Sequence, residues 1–208
     1  MHRHTEPKSA AKKLLRRVTP DPDTDLLPPD EETEAILAAQ AGDRAAFAKI
    51  VATHWDRLFR WLFQKTRDRH RAEDLTQETF LKALAAVKTF RAGSNFRAWL
   101  FRIGHNNFVN LKRSQRRVTA TLPDDAEDDR SQDDPANTAE ERETLRKVQA
   151  AVQALPADFR AALLLRAEQD LSFRDVAAVM GITEETARWR VFKARQKLLQ
   201  VLGDDAKE

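Results

Sequence analysis

Residues 171–202, LSFRDVAAVMGITEETARWRVFKARQKLLQVL, decide the fold of the C-terminal part of the chain. Ser172, followed three residues later by an acid, has the spacing of a capping box and predicts the start of a short helix. The small Ala177 lets two helices cross closely. Gly181 permits the left-handed backbone of a tight turn, and Thr183 then predicts the N-cap of a second helix. This order of residues predicts a helix-turn-helix.

The second of these helices has two unlike faces. At 100° per residue, an apolar stripe is formed by Ala187, Val191, Ala194 and Leu198. The opposite face is polar and basic and consists of Glu185, Thr186, Trp189, Lys193 and Gln196, flanked by Arg188, Arg190 and Arg195. A polar reading face with flanking cations suits the major groove of DNA, and an exposed tryptophan is costly without a partner. A helix with a solvated basic face is the alternative.

Composition limits the classes of protein that the chain can belong to. It has 208 residues, no Cys, five Gly and eight Pro, which is too little turn punctuation for a β fold and predicts an all-α protein. Without Cys, disulfide scaffolds, thiolate metal sites and Cys nucleophiles are excluded. No apolar run is long enough to span a membrane and no secretory signal is present, so we expect a cytoplasmic protein with no membrane insertion.

Catalysis is not expected from this sequence. The five histidines lack the spacing of metal ligands, and no HExxH, P-loop or GxSxG motif occurs. We therefore expect no enzyme activity, no catalytic residue, no metal site and no cofactor.

The chain divides into two small helical domains. Residues 1–29 predict a disordered tail, and residues 30–117 predict four helices around one core, two of them capped by Asp43 and Asp68. Residues 118–143 hold ten acidic and two basic residues and predict an acidic flexible linker. The second domain is expected over 144–202, and residues 203–208 form a short C-terminal tail.

Charge is unevenly distributed behind the small net charge of +3. Between Thr79 and Pro123 there are nine cations and no acid, interleaved with aromatic residues. The helix predicted from about Phe96 to Arg117 places a mixed set on one side: Asn95, Trp99, Arg102, Asn106, Asn110 and Arg113. Carboxamides, guanidinium groups and an indole suit single-stranded or melted nucleic acid. A solvated face with one chance tryptophan is the alternative.

The third helix carries a different surface. One face holds Asp74, Gln77, Glu78 and Leu81, and the residues that face away from it are Ala72, Leu75, Thr79, Ala83 and Ala86. Burying a leucine contributes roughly 1.5–3 kcal/mol, so Leu81 among polar groups is a plausible anchor for another protein. Lone exposed leucines are common, so the surface alone does not decide this.

Four stretches resemble the bacterial RNA polymerase sigma factors of the extracytoplasmic-function (ECF) class. They are GDRAAF at 42–47, AEDLTQETFLKAL at 72–84, NFRAWLFRIGHNN at 95–107, and LPADFRAALLLRAEQDLSFRDVAAVMGI with its following helix at 155–202. The resemblance covers all but the tail and the last few residues. It implies a sigma region-two domain, an acidic linker and a region-four helix-turn-helix domain.

The resemblance also implies partners and roles. The chain would bind core RNA polymerase, direct it to promoter DNA and promote melting, and an anti-sigma factor is a candidate regulator. Binding to the polymerase β′ clamp is implied for Asp74, Gln77, Glu78 and Leu81. Binding and melting of the minus-ten element are implied for Arg91, Asn95, Phe96, Arg97, Trp99, Arg102, Asn106, Asn110 and Arg113. Region four would sit on the β flap and read the minus-thirty-five element through Ser172, Thr183, Glu185, Thr186, Arg188, Trp189, Arg190 and Lys193.

Two other functions remain open from the residues themselves. One is a stand-alone transcriptional regulator that binds duplex DNA through its helix-turn-helix and dimerises through the first domain. The other is a helical adaptor or RNA-binding protein. Neither explains both Leu81 in a polar surround and the acid-free aromatic stretch.

Overall fold

The computed structural model describes residues 29–91, 93–118 and 139–204, and the regular elements among them are all helical, as the sequence predicts. The chain forms two compact units, which are described separately. The first unit contains the described residues up to 118 together with 175–181. The second contains 139–174 and 182–204.

The first unit is built from four described α-helices. They are α1 (Pro29–Gln40), α2 (Arg44–Thr66), α3 (Arg69–Ala86) and α4 (Phe96–Val118). A short 3-10 turn, Val87–Thr89, follows α3. Helix α2 packs against α1 and α3, and α4 packs against α2 and α3, so all four helices enclose one core.

Two predicted caps begin the helices of this unit. The Asp43 carboxylate accepts hydrogen bonds from the backbone N–H of Ala45 at 2.8 Å and of Ala46 at 3.2 Å. The Asp68 carboxylate accepts one from the backbone N–H of Arg71 at 3.0 Å. Both side chains satisfy donors that the first turn of a helix leaves unpaired, so the two predicted caps are confirmed.

A glycine sets the closeness of the helices in this core. A Cβ on Gly104 of α4 would stand 3.1 Å from Cδ1 of Leu58 in α2 and 3.5 Å from Oγ1 of Thr79 in α3. Nearby, the rings of Trp61 and Phe101 lie 5.2 Å apart and are both fully buried. The absence of a side chain at 104 lets α4 approach α2 and α3 closely, and a Cβ there would require the Leu58 side chain to shift.

The second part of the chain contributes four further described helices. They are α5 (Ala139–Gln153), α6 (Ala157–Ala167), α7 (Phe173–Met180) and α8 (Glu184–Asp204). Helix α8 packs against α5 and α6. Its predicted apolar stripe, Ala187, Val191, Ala194 and Leu198, is buried, which confirms the helical phase of α8.

The turn before α8 has the predicted chemistry. Gly181 has φ of +65°, in the left-handed region that favours glycine. The Thr183 hydroxyl accepts a hydrogen bond from the backbone N–H of Thr186 at 3.1 Å, so Thr183 caps α8. Two acids then occupy the first turn of α8, where the helix dipole favours negative charge.

Helix α5 begins earlier than predicted, inside the stretch expected to be a linker. It begins at Ala139, inside the stretch 118–143 whose acidic composition predicts a flexible segment. Acids near the start of a helix are favoured by its dipole, and Val148 and Ala151 of α5 are buried, so packing outweighs composition here. The remaining linker residues, 119–138, and the predicted tail as far as residue 28 lie outside the described residues.

Candidate protein and nucleic-acid interfaces

The first candidate surface lies on α3 and is called here the α3 face: Asp74, Gln77, Glu78 and Leu81. All four residues are exposed, and Leu81 has 68% of its surface accessible. One turn further on, Leu84 is 44% exposed and extends the apolar part of the face, which the sequence interpretation missed. The opposite side of α3 is buried, so the predicted helical phase is correct.

The charges on the α3 face are unequally compensated. The Lys82 ammonium lies 2.6 Å from the Glu78 carboxylate and donates to Oδ1 of Asn107 at 2.6 Å. Asn107 in turn donates to the Thr79 hydroxyl at 3.1 Å. Asp74 makes no ion pair with any residue that the structure describes, so its charge is available to a partner.

A groove of about 340 Å³ separates α3 from α4. It is lined by Arg71, Asp74, Leu75, Glu78, Asn107, Asn110, Leu111 and Ser114. The sequence groups Asn110 with the nucleic-acid contacts, yet this residue shares the groove with Asp74 and Glu78. The two surfaces that the sequence separates therefore meet along one groove.

The second candidate surface, the α4 face, consists of Asn95, Trp99, Arg102, Asn106, Asn110 and Arg113. Arg102 and Arg113 are exposed and make no ion pair with the described residues. Trp99 is half-buried, with its ring 5.3 Å from the rings of both Phe90 and Phe96. Part of the indole is thus supported from below while the rest is open to a stacking partner.

The loop before α4 is ordered by its own hydrogen bonds. The backbone N–H of Ser94 donates to the carbonyl of Arg91 at 3.1 Å, and the turn includes Gly93 with φ of +81°. The Asn95 side-chain oxygen accepts from the backbone N–H of Ala98 at 3.1 Å. Asn95 is therefore the cap of α4, while Arg91 is exposed on the loop.

Two residues assigned to minus-ten DNA lie elsewhere. Phe96 is only 2% exposed and belongs to the core, where it packs edge-on against Phe90 at 5.2 Å. Arg97 is half-buried and close enough to Glu32 of α1 to lower the pKa of that carboxyl. A role for Phe96 in contacting DNA directly is not supported by this geometry, because an aromatic residue beneath Trp99 positions the surface rather than forming it.

A partly buried hydrogen bond between His54 and Glu32, missed by the sequence interpretation, supports this cluster. Nε2 of His54, which is fully buried, lies 2.9 Å from the Glu32 carboxylate, and the His54 ring lies 5.6 Å from the ring of Phe96. The hydrogen bond to His54 is the main cause that lowers the pKa of Glu32, opposed by burial. Helix α1 is thereby tied to the residue on which Trp99 rests.

The third candidate surface is the α8 face: Glu185, Thr186, Trp189, Lys193 and Gln196. Glu185 is exposed, and Trp189 is 52% exposed with its ring 5.3 Å from Phe159 of α6. Lys193 donates to the side-chain oxygen of Gln196 at 3.1 Å. Thr186 is half-buried beside Thr183, and Ser172 is exposed just before α7.

Two arginines assigned to minus-thirty-five DNA are held by neighbours. Arg188 pairs with Glu184 one turn back, and its guanidinium lies 4.7 Å from the ring of Phe173. The Arg190 guanidinium lies 3.1 Å from the Asp158 carboxylate, and only 19% of its side chain is exposed. Arg190 is thus directed towards α6 in this structure, and its role as a DNA contact stays a prediction.

An apolar ridge on α8 was not recognised from the sequence. Phe192 is 63% exposed and Leu199 is 52% exposed. On a helical wheel both residues fall beside Trp189, so the helical phase of α8 is the sequence signal that identifies this ridge. Residues of this kind, when exposed together, mark surfaces for other macromolecules.

Neither a metal centre nor a membrane span is found in the part of the chain that the structure describes. No group of three or more His, Asp or Glu side chains there could hold a metal ion. No helix in those ranges is long and apolar enough to cross a membrane.

Comparison with known proteins places these surfaces in a family. The sigma-70 region 2 family matches residues 50–118, and the sigma-70 region 4 family matches residues 145–198. The first match contains the α3 and α4 faces, and the second contains the α8 face.

Relatives match over most of the chain. The ECF RNA polymerase sigma factor SigE of Mycolicibacterium smegmatis is 33% identical over 186 residues, which cover 87% of this chain and 72% of the relative. The RNA polymerase sigma-H factor of Pseudomonas aeruginosa is 32% identical over 186 residues, which cover 85% of this chain and 96% of the relative.

A solved sigma factor structure is also similar to this chain. The sigma factor RpoE of Bartonella quintana, crystallised with the anti-sigma factor NepR, superposes with a TM-score of 0.65 at 29% identity, covering 76% of this chain and 96% of that one. With both regions present in the same order and a third of the sequence shared, the chain belongs to the ECF RNA polymerase sigma factors, which act in transcription initiation.

Proposed function

We propose that three surfaces divide the work of initiation in this sigma factor. The α3 face binds the β′ clamp of core RNA polymerase. The α4 face opens and holds the minus-ten element. The α8 face reads the minus-thirty-five element. The observation that carries this division is Leu81, an exposed leucine beside the uncompensated carboxylate of Asp74.

The α3 face has the composition of a protein-docking site. Leu81 and Leu84 supply apolar surface, and burying each contributes roughly 1.5–3 kcal/mol in a well-packed interface. Asp74 and Gln77 supply polar groups at the rim, where charges steer association. A docking partner with an apolar ridge and flanking cations fits these residues.

The α4 face has the composition of a strand-binding site. Arg102 and Arg113 offer cations to a phosphate backbone, and Trp99 offers an aromatic surface for an unstacked base. Asn106 and Asn110 add amide donors and acceptors for base edges. Trp99 rests on Phe90 and Phe96, so it meets a base without first losing much side-chain freedom.

The α8 face combines DNA reading with a neighbouring protein-binding ridge. Glu185 and Thr186 in the first turn are placed for base edges, since a carboxylate accepts from cytosine and a methyl group meets thymine. The ridge of Phe192 and Leu199, further along α8, suits the β flap of the polymerase. The Bartonella relative was crystallised with an anti-sigma factor, and a regulator of that kind would block the flap if it covered this ridge.

Run-off transcription tests the proposal as a whole. The full chain is added to core polymerase that lacks any sigma factor, on genomic fragments from the same cell. We expect transcription to start at specific sites only when both proteins are present. No metal ion is needed beyond those that the polymerase itself uses. Tight binding of duplex DNA by the chain alone, with no specific starts, would instead identify a stand-alone regulator.

A single substitution tests the assignment of the α3 face. Leu81→Asp is expected to weaken core binding at least tenfold, because a charge replaces the apolar anchor, while helix content by circular dichroism stays unchanged. Val109→Asp is the matched control, since it alters an exposed apolar residue on α4 that belongs to none of the three surfaces. Equal core affinity for Leu81→Asp and the unaltered chain would remove the α3 face from the proposal.

A further inference from the structure

Three exposed leucines lie on α1 and α3 of the first unit. Leu37 of α1 is 49% exposed, and Leu81 and Leu84 of α3 are 68% and 44% exposed. The Gln40 side-chain amide donates to the carbonyl of Val87 at 2.9 Å, which joins the end of α1 to the turn after α3. Leu37 lies one turn before Gln40 and Leu84 one turn before Val87, so both lie near the same hydrogen bond.

Exposed acidic residues lie on the same two helices as these leucines. Glu31 and Glu34 of α1 and Asp74 of α3 are exposed and make no ion pair with the described residues. Lys82 forms an ion pair with Glu78, and Lys88 lies in the short turn that follows α3. The two helices therefore offer exposed leucines together with exposed carboxylates that have no ion-pair partner among the described residues.

The sequence before α1 contains a segment of complementary character. Residues 10–18 read AAKKLLRRV, with apolar residues at 11, 14, 15 and 18, the spacing of one helical face. Between them stand four cations and no acid: Lys12, Lys13, Arg16 and Arg17. This N-terminal segment lies outside the described residues, and its pattern is that of a short cationic helix with one apolar stripe.

The tether between this segment and α1 is long enough for docking. Residues 19–28 separate the segment from Pro29 and span up to about 35 Å when extended. From Asp74 to Leu84 the axis of α3 rises only about 15 Å. A tether of this length holds the segment near the surface at a millimolar effective concentration, so even a weak interaction is populated.

We propose that the N-terminal segment docks in cis on the surface formed by Leu37, Leu81 and Leu84. Leu14 and Leu15 cover the exposed leucines, and the cations approach Glu34 and Asp74. Because Leu81 also belongs to the α3 face, the docked segment competes with core polymerase and lowers the activity of the free factor. This consequence rests on the proposed function of the α3 face, whereas the docking itself does not.

Disulfide trapping tests the docking without polymerase, since the chain has no native Cys. The full chain carrying Ala11→Cys and Ala85→Cys is compared with one carrying Ala11→Cys and Ala52→Cys, because Ala85 and Ala52 are both exposed alanines on helices of the first unit. The first pair is expected to form an intramolecular disulfide at least tenfold faster. Adding Leu14→Asp with Leu15→Asp removes that difference.

Three outcomes would overturn the docking proposal. Equal rates for the two cysteine pairs would show that the segment has no preferred site. Disulfide-linked dimers in place of monomers would show that a second copy supplies the segment. Loss of duplex DNA affinity in the Leu14→Asp, Leu15→Asp chain, with no trapping at Ala85→Cys, would assign the segment to nucleic acid.

Core polymerase affinity tests the consequence separately. If the docked form holds about nine-tenths of the molecules, Leu14→Asp with Leu15→Asp raises the affinity for core about tenfold. Unchanged affinity contradicts the competition. If trapping occurs but Leu81→Asp leaves core binding intact, the proposed function of the α3 face fails and the docking stands.

Discussion

The cations of α4 and α8 are arranged in different ways. On the α4 face, Arg102 and Arg113 are exposed and make no ion pair within the described residues. On α8, Arg188 is held by Glu184 and by the ring of Phe173, and Arg190 is held by Asp158. Both helices are basic, so they differ in how freely their arginine side chains can move and not in their charge.

This difference fits the two kinds of DNA that the surfaces are proposed to bind. A melted strand has no fixed path, so long unpaired side chains can follow its phosphates. A duplex presents phosphates at set positions, and Arg188, which is held by its neighbours yet largely exposed, loses less freedom on binding a phosphate. The tryptophans differ in the opposite direction, with Trp189 of α8 more exposed than the half-buried Trp99 of α4.

Substitution of Trp99 is expected to have the largest effect among the changes that test the difference between α4 and α8. Stacking of one base on an aromatic residue contributes about 1–3 kcal/mol, so Trp99→Ala is expected to lower open-complex formation roughly ten- to hundredfold. Permanganate footprinting of the promoter, with core affinity measured in parallel, checks this. Core affinity should stay within about twofold, because Trp99 lies outside the α3 face.

The matched control keeps an aromatic ring at the same position. Trp99→Phe should recover most of the open complex, since a phenyl ring still stacks on a base and still packs against Phe90 and Phe96. Full loss in Trp99→Phe would point to a role of the indole N–H in place of stacking. Equal activity of Trp99→Ala and the unaltered chain would remove Trp99 from the minus-ten site.

The unpaired arginines should govern the dependence on salt. Arg102→Ala with Arg113→Ala is expected to reduce the slope of log affinity against log salt by about 1.4, because each single-strand phosphate that is no longer neutralised accounts for about 0.7. Holoenzyme binding to a forked minus-ten fragment, measured between about 50 and 200 mM salt, checks this slope. An unchanged slope would show that these two cations do not bind phosphates.

The pair beneath the α4 face should have a smaller and pH-dependent effect. Because Glu32 has a lowered pKa, its charged form stabilises the fold above its ordinary pKa of 4.5, and this contribution is lost as pH falls through the lowered value. Glu32→Gln is expected to reduce the free energy of unfolding by about 1 kcal/mol at pH 7, since a neutral hydrogen bond replaces a charged one. Urea denaturation of both chains from pH 7 to pH 3 should show the difference shrinking below pH 4.5, and a constant difference would contradict this origin.

Local chemistry could be predicted from the sequence, and the pairing of distant side chains could not. Asp43, Asp68 and Thr183 cap helices through bonds that span two or three residues, so their spacing alone identified them. The exposure of Leu81 followed in the same way from helical phase. Ion pairs between helices depend on how the helices pack, and the periodicity of a single helix does not contain that information.

The pairs that escaped prediction are the ones that change the assigned roles. His54 and Glu32 are separated by 22 residues, and their hydrogen bond reveals what supports Phe96. The start of α5 escaped for another reason, because acids at the beginning of a helix have the same composition as an acidic linker. Both cases show that composition identifies solvated residues but not their neighbours in space.

Arg190 gives the smallest expected effect and the sharpest test of the comparison. If its guanidinium stays with Asp158 on DNA, Arg190→Ala should change promoter affinity about fivefold or less, because an ion pair at the surface is worth at most about 1 kcal/mol. Arg188→Ala, altered in the same helix, should cost more, since that arginine remains largely exposed. Binding of holoenzyme to a minus-thirty-five duplex measures both. A loss of tenfold or more for Arg190→Ala would mean that Arg190 leaves Asp158 for a phosphate, so that the held cations of α8 are as adaptable as the free ones of α4.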